Sequence, residues 1–437
     1  MHEQTRDGLA WDDSGFDLQP CWAREPQLDA VARVCRAVLG LTPEDHLTAT
    51  FHAAGAFNKL YLVVSPRGRS LMRVSLPVDP KSKTGGEVTT LRWIRRMTHM
   101  PVPKVIAFDD SQDNEIGFEW ILMELMPGES AYKRWRKLSI AEKTWLVEQI
   151  AEFQSQLFRS SFENPELRSI GTLFSGDDPE PSKSSPRPGR IVSRIFFWGE
   201  HFHYDVARGP YRSSYDWLSA CLGIIRQAQT ETLDKEEDED IREDAEDCLR
   251  VATRLTSLLP KIFPLYQSPA ERTVLWHDDL SLQNILIDDD AKVTAVVDWE
   301  CVSAKPLWVA TEMPKFLDGE PREEEPDRDK YGDASEGAEL GPDDEDKLDD
   351  EGKTELYWIH LMEYEQTQLR KVYIAKMKEL WPQWEREAEC ASLKSDFLGA
   401  VDRCADGWYL KRIEQWIDAV EAGAFPRLMD ILSPNIN

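Results

Sequence analysis

His277, Asp279 and Asn284 stand in the spacing H-x-D-x(4)-N, and Asp298 follows one hairpin later, within the stretch Thr273 to Glu300. Apolar runs bracket these polar residues at Thr273–Leu275, Ile285–Ile287 and Val293–Val297. Asp288, Asp289 and Asp290 supply a turn between the last two runs, which therefore read as a short β-hairpin. An Asp, an Asn and a second Asp are thereby placed at strand ends around one pocket. Phosphoryl transfer from Mg·ATP requires such a set. Asp279 would orient an acceptor hydroxyl and take its proton, while Asn284 and Asp298 would hold Mg2+ on the phosphates. Asp and Asn are also ordinary turn residues. The strands on both sides and the following Asp-Trp-Glu separate this stretch from turn chemistry. His277 reads as a hydrogen-bonding residue that shapes the loop, not as a proton shuttle.

Such a loop needs a lid over the phosphates, a cation and an adenine edge, and the N-terminal third offers candidates for each. From His46 to Leu76 the pattern is that of strands, followed by a helix over Gly86–Met97 and strands near Val105–Phe108 and Phe118–Glu124. Between the first two strands, Gly55, Ala56, Phe57 and Asn58 form a turn of small residues whose N–H groups could cover a triphosphate. Arg73 lies in the third strand and Glu87 near the start of the helix, a pairing that would steady the α- and β-phosphates. Lys59, Lys81 and Lys83 are alternative cations. Met123-Glu124-Leu125-Met126 reads equally as a hinge whose backbone, at Glu124 and Met126, meets adenine and as a buried edge strand followed by a linker.

After Gly128 the chain becomes mostly helical. Ser139 and Glu142 form a capping box for a helix reaching about Leu157, and helical patterns recur around 191–203, 211–230, 240–258, 355–380 and 395–422. Between Asp318 and Glu351 there are 17 acidic and 4 basic residues, which predicts a disordered insertion. The organisation expected is an N-terminal extension and helix over 1–45, a nucleotide-binding lobe over 46–126, and a helical lobe over 127–437 carrying the catalytic loop 276–300 and the acidic insertion 318–351.

With a net charge of −28 and no basic stripe, the chain is not expected to bind nucleic acid or an anionic membrane. Seven scattered cysteines without a C-x-x-C pair favour reduced thiols. No apolar run approaches the roughly 20 residues of a membrane span, and the first residues lack the apolar core of a secretory signal. A soluble, cytoplasmic protein is the expectation. Gly352-Lys353-Thr354 does not complete a P-loop, because position 347 is Lys where a Gly is needed. His201 and His203 fall in a helical pattern where i and i+2 point apart, which argues against a metal pair.

Together, the AAGAFNKLY turn, the KTGGEVTTLRWI helix, PVPKVIAFD, WHDDLSLQNIL and VVDWE resemble the aminoglycoside phosphotransferase and choline kinase-like family, especially its fungal members, over about residues 48–310. The resemblance implies an α+β, two-lobed protein-kinase-like fold and transfer of the γ-phosphoryl group of ATP to a small-molecule hydroxyl. It matches Asp279 to the catalytic base, Asn284 and Asp298 to the magnesium ligands, and Glu87 to the helix glutamate. Two departures stand out. Arg73 occupies the place of the strand-three lysine, and Asp278 follows His277 where many relatives have Gly. A second acid there would either repel phosphate or favour a cationic acceptor. A catalytically weak nucleotide-binding scaffold is the alternative; a protein kinase is disfavoured by the lack of Asp-Phe-Gly and Ala-Pro-Glu.

Overall fold

A computed structural model describes residues 6–15, 18–176, 185–266, 271–332 and 352–432. The chain opens with an antiparallel hairpin, β1 (Leu9–Asp12) and β2 (Gln19–Trp22), and then α1 (Leu28–Val38). Next come β3 (Thr48–Ala54), β4 (Asn58–Ser65), β5 (Gly68–Ser75), α2 (Ser82–Met97), β6 (Val105–Asp109) and β7 (Glu119–Glu124). The five strands form one antiparallel sheet in the order β3-β4-β5-β7-β6.

Side-chain alternation gives this sheet two different faces. Tyr61, Val63, Met72, Val74 and Leu122 bury one face with Val31 of α1 and Phe118. Leu71, Ile121 and Met123 cover the other with Val88 of α2. Arg73 shares the parity of Leu71, so it points toward α2 and the interior of the molecule. Lys59 shares the parity of Tyr61, and its ammonium lies over the Trp22 ring at 5.0 Å, on the far side of the sheet.

The second lobe contains β8 (Glu129–Ser130), α3 (Ala131–Arg134), α4 (Ile140–Glu163), β9 (Gly171–Phe174), β10 (Arg187–Pro188), α5 (Arg194–Phe197), α6 (Ser214–Lys235), α7 (Glu239–Ile262), β11 (Thr273–Trp276), β12 (Ile285–Ile287), β13 (Val293–Val296), β14 (Ser303–Pro306), α8 (Glu355–Leu380), α9 (Trp384–Ala405), α10 (Leu410–Glu421) and α11 (Leu428–Leu432). The capping box at Ser139 and Glu142 is present in both directions. β12 and β13 pair as the expected hairpin, and the N–H groups of Asp290 and Lys292 donate to the Asp288 carboxylate in its turn. β11 joins β14 instead, in a sheet ordered β10-β9-β14-β11. The two-lobed α+β architecture is the one the sequence implied.

Three expectations need correction. The pattern over 191–203 becomes only the short α5 and a 3-10 turn over Gly199–His203, divided at Trp198, with Gly199 at φ +50°. The pattern over 395–422 splits between α9 and α10, where Gly407 (φ +73°) and Tyr409 (φ +58°) turn the chain. Residues 318–332 are mostly exposed but tethered to α8. Arg370 of α8 donates to the carbonyls of Leu317 and Gly319, and Arg322 and Glu323 form ion pairs with Glu363 and Lys371. Cations on α8 thus hold the start of the acidic stretch; residues 333–351 lie outside the described residues. Among the described residues no helix is long and apolar enough to cross a membrane.

Two glycines set how closely the lobes meet. Gly128, at φ +103°, would place a Cβ 2.4 Å from Thr294 Oγ1 and 2.7 Å from the Ile287 carbonyl oxygen. A Cβ on Gly86 would meet Thr172 Cγ2 at 2.4 Å, so α2 rests directly on β9 of the second lobe.

Candidate active site

The lobes enclose a cleft of about 910 Å³ lined by Gly55, Leu60, Met123, Met126, Leu286 and Asp298, among others. Asp279, Asn284, Arg73, Glu87 and Glu124 also border it. Asp279, Asn284, Asp298, Arg73, Glu87, Glu124, Met126 and the turn from Gly55 to Asn58 therefore border one space. Their roles in the resting structure differ from one another.

The loop that carries His277, Asp279 and Asn284 is built from local bonds. His277 is buried, with its ring edge-on to Trp299 at 4.7 Å. Its Nε2 lies 3.1 Å from the Val297 carbonyl oxygen, and its Nδ1 accepts from the Asp279 N–H at 3.3 Å. These contacts require a neutral ring with the proton on Nε2, and they place His277 as the brace expected from sequence. Asn284 Nδ2 donates to the Asp279 carbonyl at 2.8 Å and to Asp279 Oδ2 at 3.1 Å. Its carbonyl oxygen, the arm a metal would use, is on the other side of the planar amide. In the Asp-Trp-Glu run, Trp299 is buried and donates to the Val296 carbonyl, while Asp298 and Glu300 border the cleft. Asp298 sits at φ +63°, a left-handed conformation that costs a non-glycine residue about 1–3 kcal/mol.

Arg73 pairs with Glu87 as expected, Nη1 to Oε1 at 3.3 Å. Its Nη2 also lies 2.9 Å from Asp298 Oδ1 and 2.9 Å from Glu300 Oε2. One guanidinium thus spans three carboxylates across both lobes, Glu87 from Nη1 and Asp298 and Glu300 from Nη2. Burial disfavours the Arg73 charge, but Glu87, Glu300 and Asp298 more than offset it, and its pKa is raised. Glu87 is pushed up to about 7 by burial, against the pull of Arg73 and Lys83. Burial acts on Glu300 as well, but Lys83 and Arg73 overcome it and hold it at about 2.

Asn58 faces this ion cluster, not a phosphate path. Its Nδ2 donates to Glu300 Oε2 at 2.7 Å, and its Oδ1 accepts from Lys83 Nζ at 2.9 Å and Ser75 Oγ at 3.1 Å. Lys83, 2% exposed, also lies 2.6 Å from Glu300. Of the three alternative cations it alone joins the network. Its spacing of four from Glu87 puts both on one face of α2, a signal present in the sequence. Glu300 carried no such signal beyond its place after the metal-ligand candidate.

In the covering turn, the Gly55 N–H donates to the Asn58 carbonyl at 2.9 Å, and no atom lies within 4 Å of a would-be Cβ at Gly55. Open space there suits close approach by a ligand. Phe57 packs edge-on against Phe197 (5.4 Å) and Trp198 (6.4 Å), tying the turn to the second lobe; Ala56 lines the cleft beside it. At the hinge, the Glu124 N–H donates to the Lys104 carbonyl at 2.9 Å, so the carbonyl is the group Glu124 could offer adenine.

Asp278 lies 4.0 Å from Lys305, and Lys315 Nζ lies 2.6 Å from Asp279 Oδ1. Lys315 has no counterpart in the spacing of the motif.

The donors present suit Mg2+. Among the described residues no three His, Cys, Asp or Glu side chains gather to hold a metal. Mg2+ takes only one or two protein carboxylates beside substrate phosphates, and Asp298 with the Asn284 amide oxygen meets that need.

The sequence pattern of the phosphotransferase enzyme family matches residues 48–309, and the chain belongs to that family. A subtelomeric hrmA-associated cluster protein of Aspergillus fumigatus is 28% identical over 60% of this chain and 59% of its own length. The altered inheritance of mitochondria protein 9, mitochondrial, of Candida tropicalis is 24% identical over 60% of this chain and 48% of its own. The chain thus matches about half to three-fifths of the length of these curated relatives. The solved gentamicin–APH(2")-IIa complex is 13% identical with a TM-score of 0.45, covering 90% of this chain and 94% of that one. A macrolide 2'-phosphotransferase type I is 10% identical with a TM-score of 0.38, covering 94% and 98%.

Proposed function

We propose that the protein is an ATP- and Mg2+-dependent O-phosphotransferase acting on a hydroxyl of a small molecule. The observation that carries this reading is the convergence of Asp279, Asn284 and Asp298 on one cleft roofed by the Gly55 turn. Asp279 accepts the proton of the acceptor hydroxyl as its oxygen attacks the γ-phosphorus. Asn284 and Asp298 would hold Mg2+, which neutralises charge on the phosphates. Arg73 keeps Asp298 and Glu87 in register across the lobes, and Gly55 to Phe57 cover the phosphate path. The hinge at Glu124 and Met126 receives the base.

Lys305, 4.0 Å from Asp278, and Lys315, 2.6 Å from Asp279, offset part of the acidic charge on which a cationic acceptor would rest. A cytoplasmic setting belongs to the same proposal, although one relative carries a mitochondrial name.

The test is a thermal-shift titration with Mg·ATP, followed by γ-phosphoryl transfer to a panel of alcohols. Asp279→Asn is expected to lower turnover by about 10³-fold or more, with nucleotide affinity within threefold of wild type. Asp298→Asn is expected to abolish the magnesium dependence of the shift. A second reading, a scaffold that binds nucleotide without transfer, draws on the hold of Arg73 on Asp298. Nucleotide binding without transfer to any acceptor or to water would select it.

A further inference from the structure

The γ-phosphate end of the cleft needs a cation able to meet a new anion, because charge spreads over the transferring group as it moves. Arg73 already spans three carboxylates, and Lys83 is buried against Glu300 and Asn58. Arg69 lines the cleft at its hinge end, one residue before Ser70, which pairs with Glu124. Lys315 is placed differently. Its side chain is 59% exposed and reaches Asp279 Oδ1 at 2.6 Å, while Asn284 holds the other carboxylate oxygen.

The support under Lys315 is rigid. It opens a 3-10 turn, Lys315–Leu317, whose next two residues are 3% and 0% exposed. The Phe316 N–H donates to the Leu280 carbonyl at 3.0 Å, which fixes the turn to the catalytic loop. Gln366 of α8 donates to the Phe316 carbonyl at 3.0 Å, and Arg370 to that of Leu317 at 3.1 Å. An ion pair this exposed contributes only about 0–1 kcal/mol to folding. The anchored turn therefore aims an exposed ammonium at the Asp279 carboxylate with little return in stability.

We propose that Lys315 is a catalytic residue that contacts the γ-phosphoryl group, an inference that rests on the phosphotransferase reading. The γ-phosphoryl oxygens carry more charge than one carboxylate and draw the ammonium from Oδ1, which frees that oxygen for the acceptor hydroxyl. The hydroxyl proton goes to Asp279 and the acceptor oxygen bonds the γ-phosphorus. The bond to the β–γ bridging oxygen breaks, and its electron pair leaves with ADP. Lys315 stays protonated throughout.

Binding isotherms of wild type, Lys315→Met and Lys315→Arg with Mg·AMP-PNP and with Mg·ADP test this without knowledge of the acceptor. Lys315→Met is expected to weaken AMP-PNP at least tenfold while ADP stays within twofold, and Lys315→Arg to keep AMP-PNP within threefold of wild type. Unchanged affinity for both ligands, or equal losses on both, would overturn the assignment and leave Lys315 a surface ion pair. If the folded wild type bound neither ligand with Mg2+, the phosphotransferase reading itself would fall, and this inference with it.

Discussion

Arg73 stands where the resemblance places a lysine, and it holds three carboxylates from two nitrogens. A lysine would have to meet Glu87, Asp298 and Glu300 from a single nitrogen. Arg73→Lys is therefore expected to lower stability by about 1–3 kcal/mol and to weaken Mg·ATP binding, not to restore a more active enzyme. Denaturant melts and nucleotide titrations would show it; a variant that binds Mg·ATP more tightly would refute the bridging role. The local build of the loop around Asp279 was legible in sequence because its bonds are short-range. His277 to Val297 and Asn284 to Asp279 span 20 and 5 residues. The ion cluster was not legible, since Asn58 and Arg73 reach Glu300 and Asp298 over 242 and 225 residues. Lys315 was missed for a related reason: its approach to Asp279 depends on how α8 seats the turn at 315–317, which no spacing records.

At the level of elements, α2 depends on a carboxylate from outside itself. Its N-cap Lys81 sits at φ +64° with no side-chain cap, and Glu119 of β7 accepts from the Lys81 N–H at 2.6 Å. Burial pushes Glu119 up to about 7, against the hydrogen bond from the Lys81 N–H and the charge of Lys83. Glu87, in the same helix, is also raised to about 7 by burial. Between the ordinary value near 4.5 and about 7, the folded protein binds these two protons more tightly than the unfolded chain does. Their stabilising contribution is therefore full at low pH and is lost as pH rises through 7. Glu300, held at about 2, acts oppositely, but its contribution is lost only as pH falls toward 2. The melting temperature is expected to drop by roughly 3–6 °C between pH 5 and 8, and Glu119→Gln to flatten that slope in calorimetry. The sequence announced α4 through its capping box but not how α2 is capped, since the capping group is on another strand. It also predicted a long helix over 191–203, where Gly199 ends the pattern with a left-handed turn. Gly128→Ala is expected to cost at least about 2 kcal/mol, because both its φ and its neighbours exclude a Cβ. An unchanged melt would mean that the linker can shift to make room.

Across the whole molecule, charge is distributed unevenly. Residues 333–351 carry ten acidic residues and one lysine, and the positions flanking them are joined, with the Thr354 N–H donating to the Gly332 carbonyl at 3.2 Å. Replacing 333–351 with a short Gly-Ser link is therefore expected to leave the melting temperature within about 2 °C and the Mg·ATP shift intact, since loop length costs little. A lost nucleotide response would tie that stretch to the site. The N-terminal hairpin, by contrast, belongs to both halves of the structure. Arg24 donates to the Gly117 carbonyl at 2.8 Å in the first lobe, and Arg6 donates to the carbonyls of Phe197 and Gly199 at 2.7 and 3.0 Å in the second. With the ion cluster, the Phe57–Phe197 packing and the Gly86–Thr172 contact, this joins the lobes at several separate places. Neither lobe can melt without exposing surface on the other, so heat should register one calorimetric unit, with van't Hoff and calorimetric enthalpies in agreement.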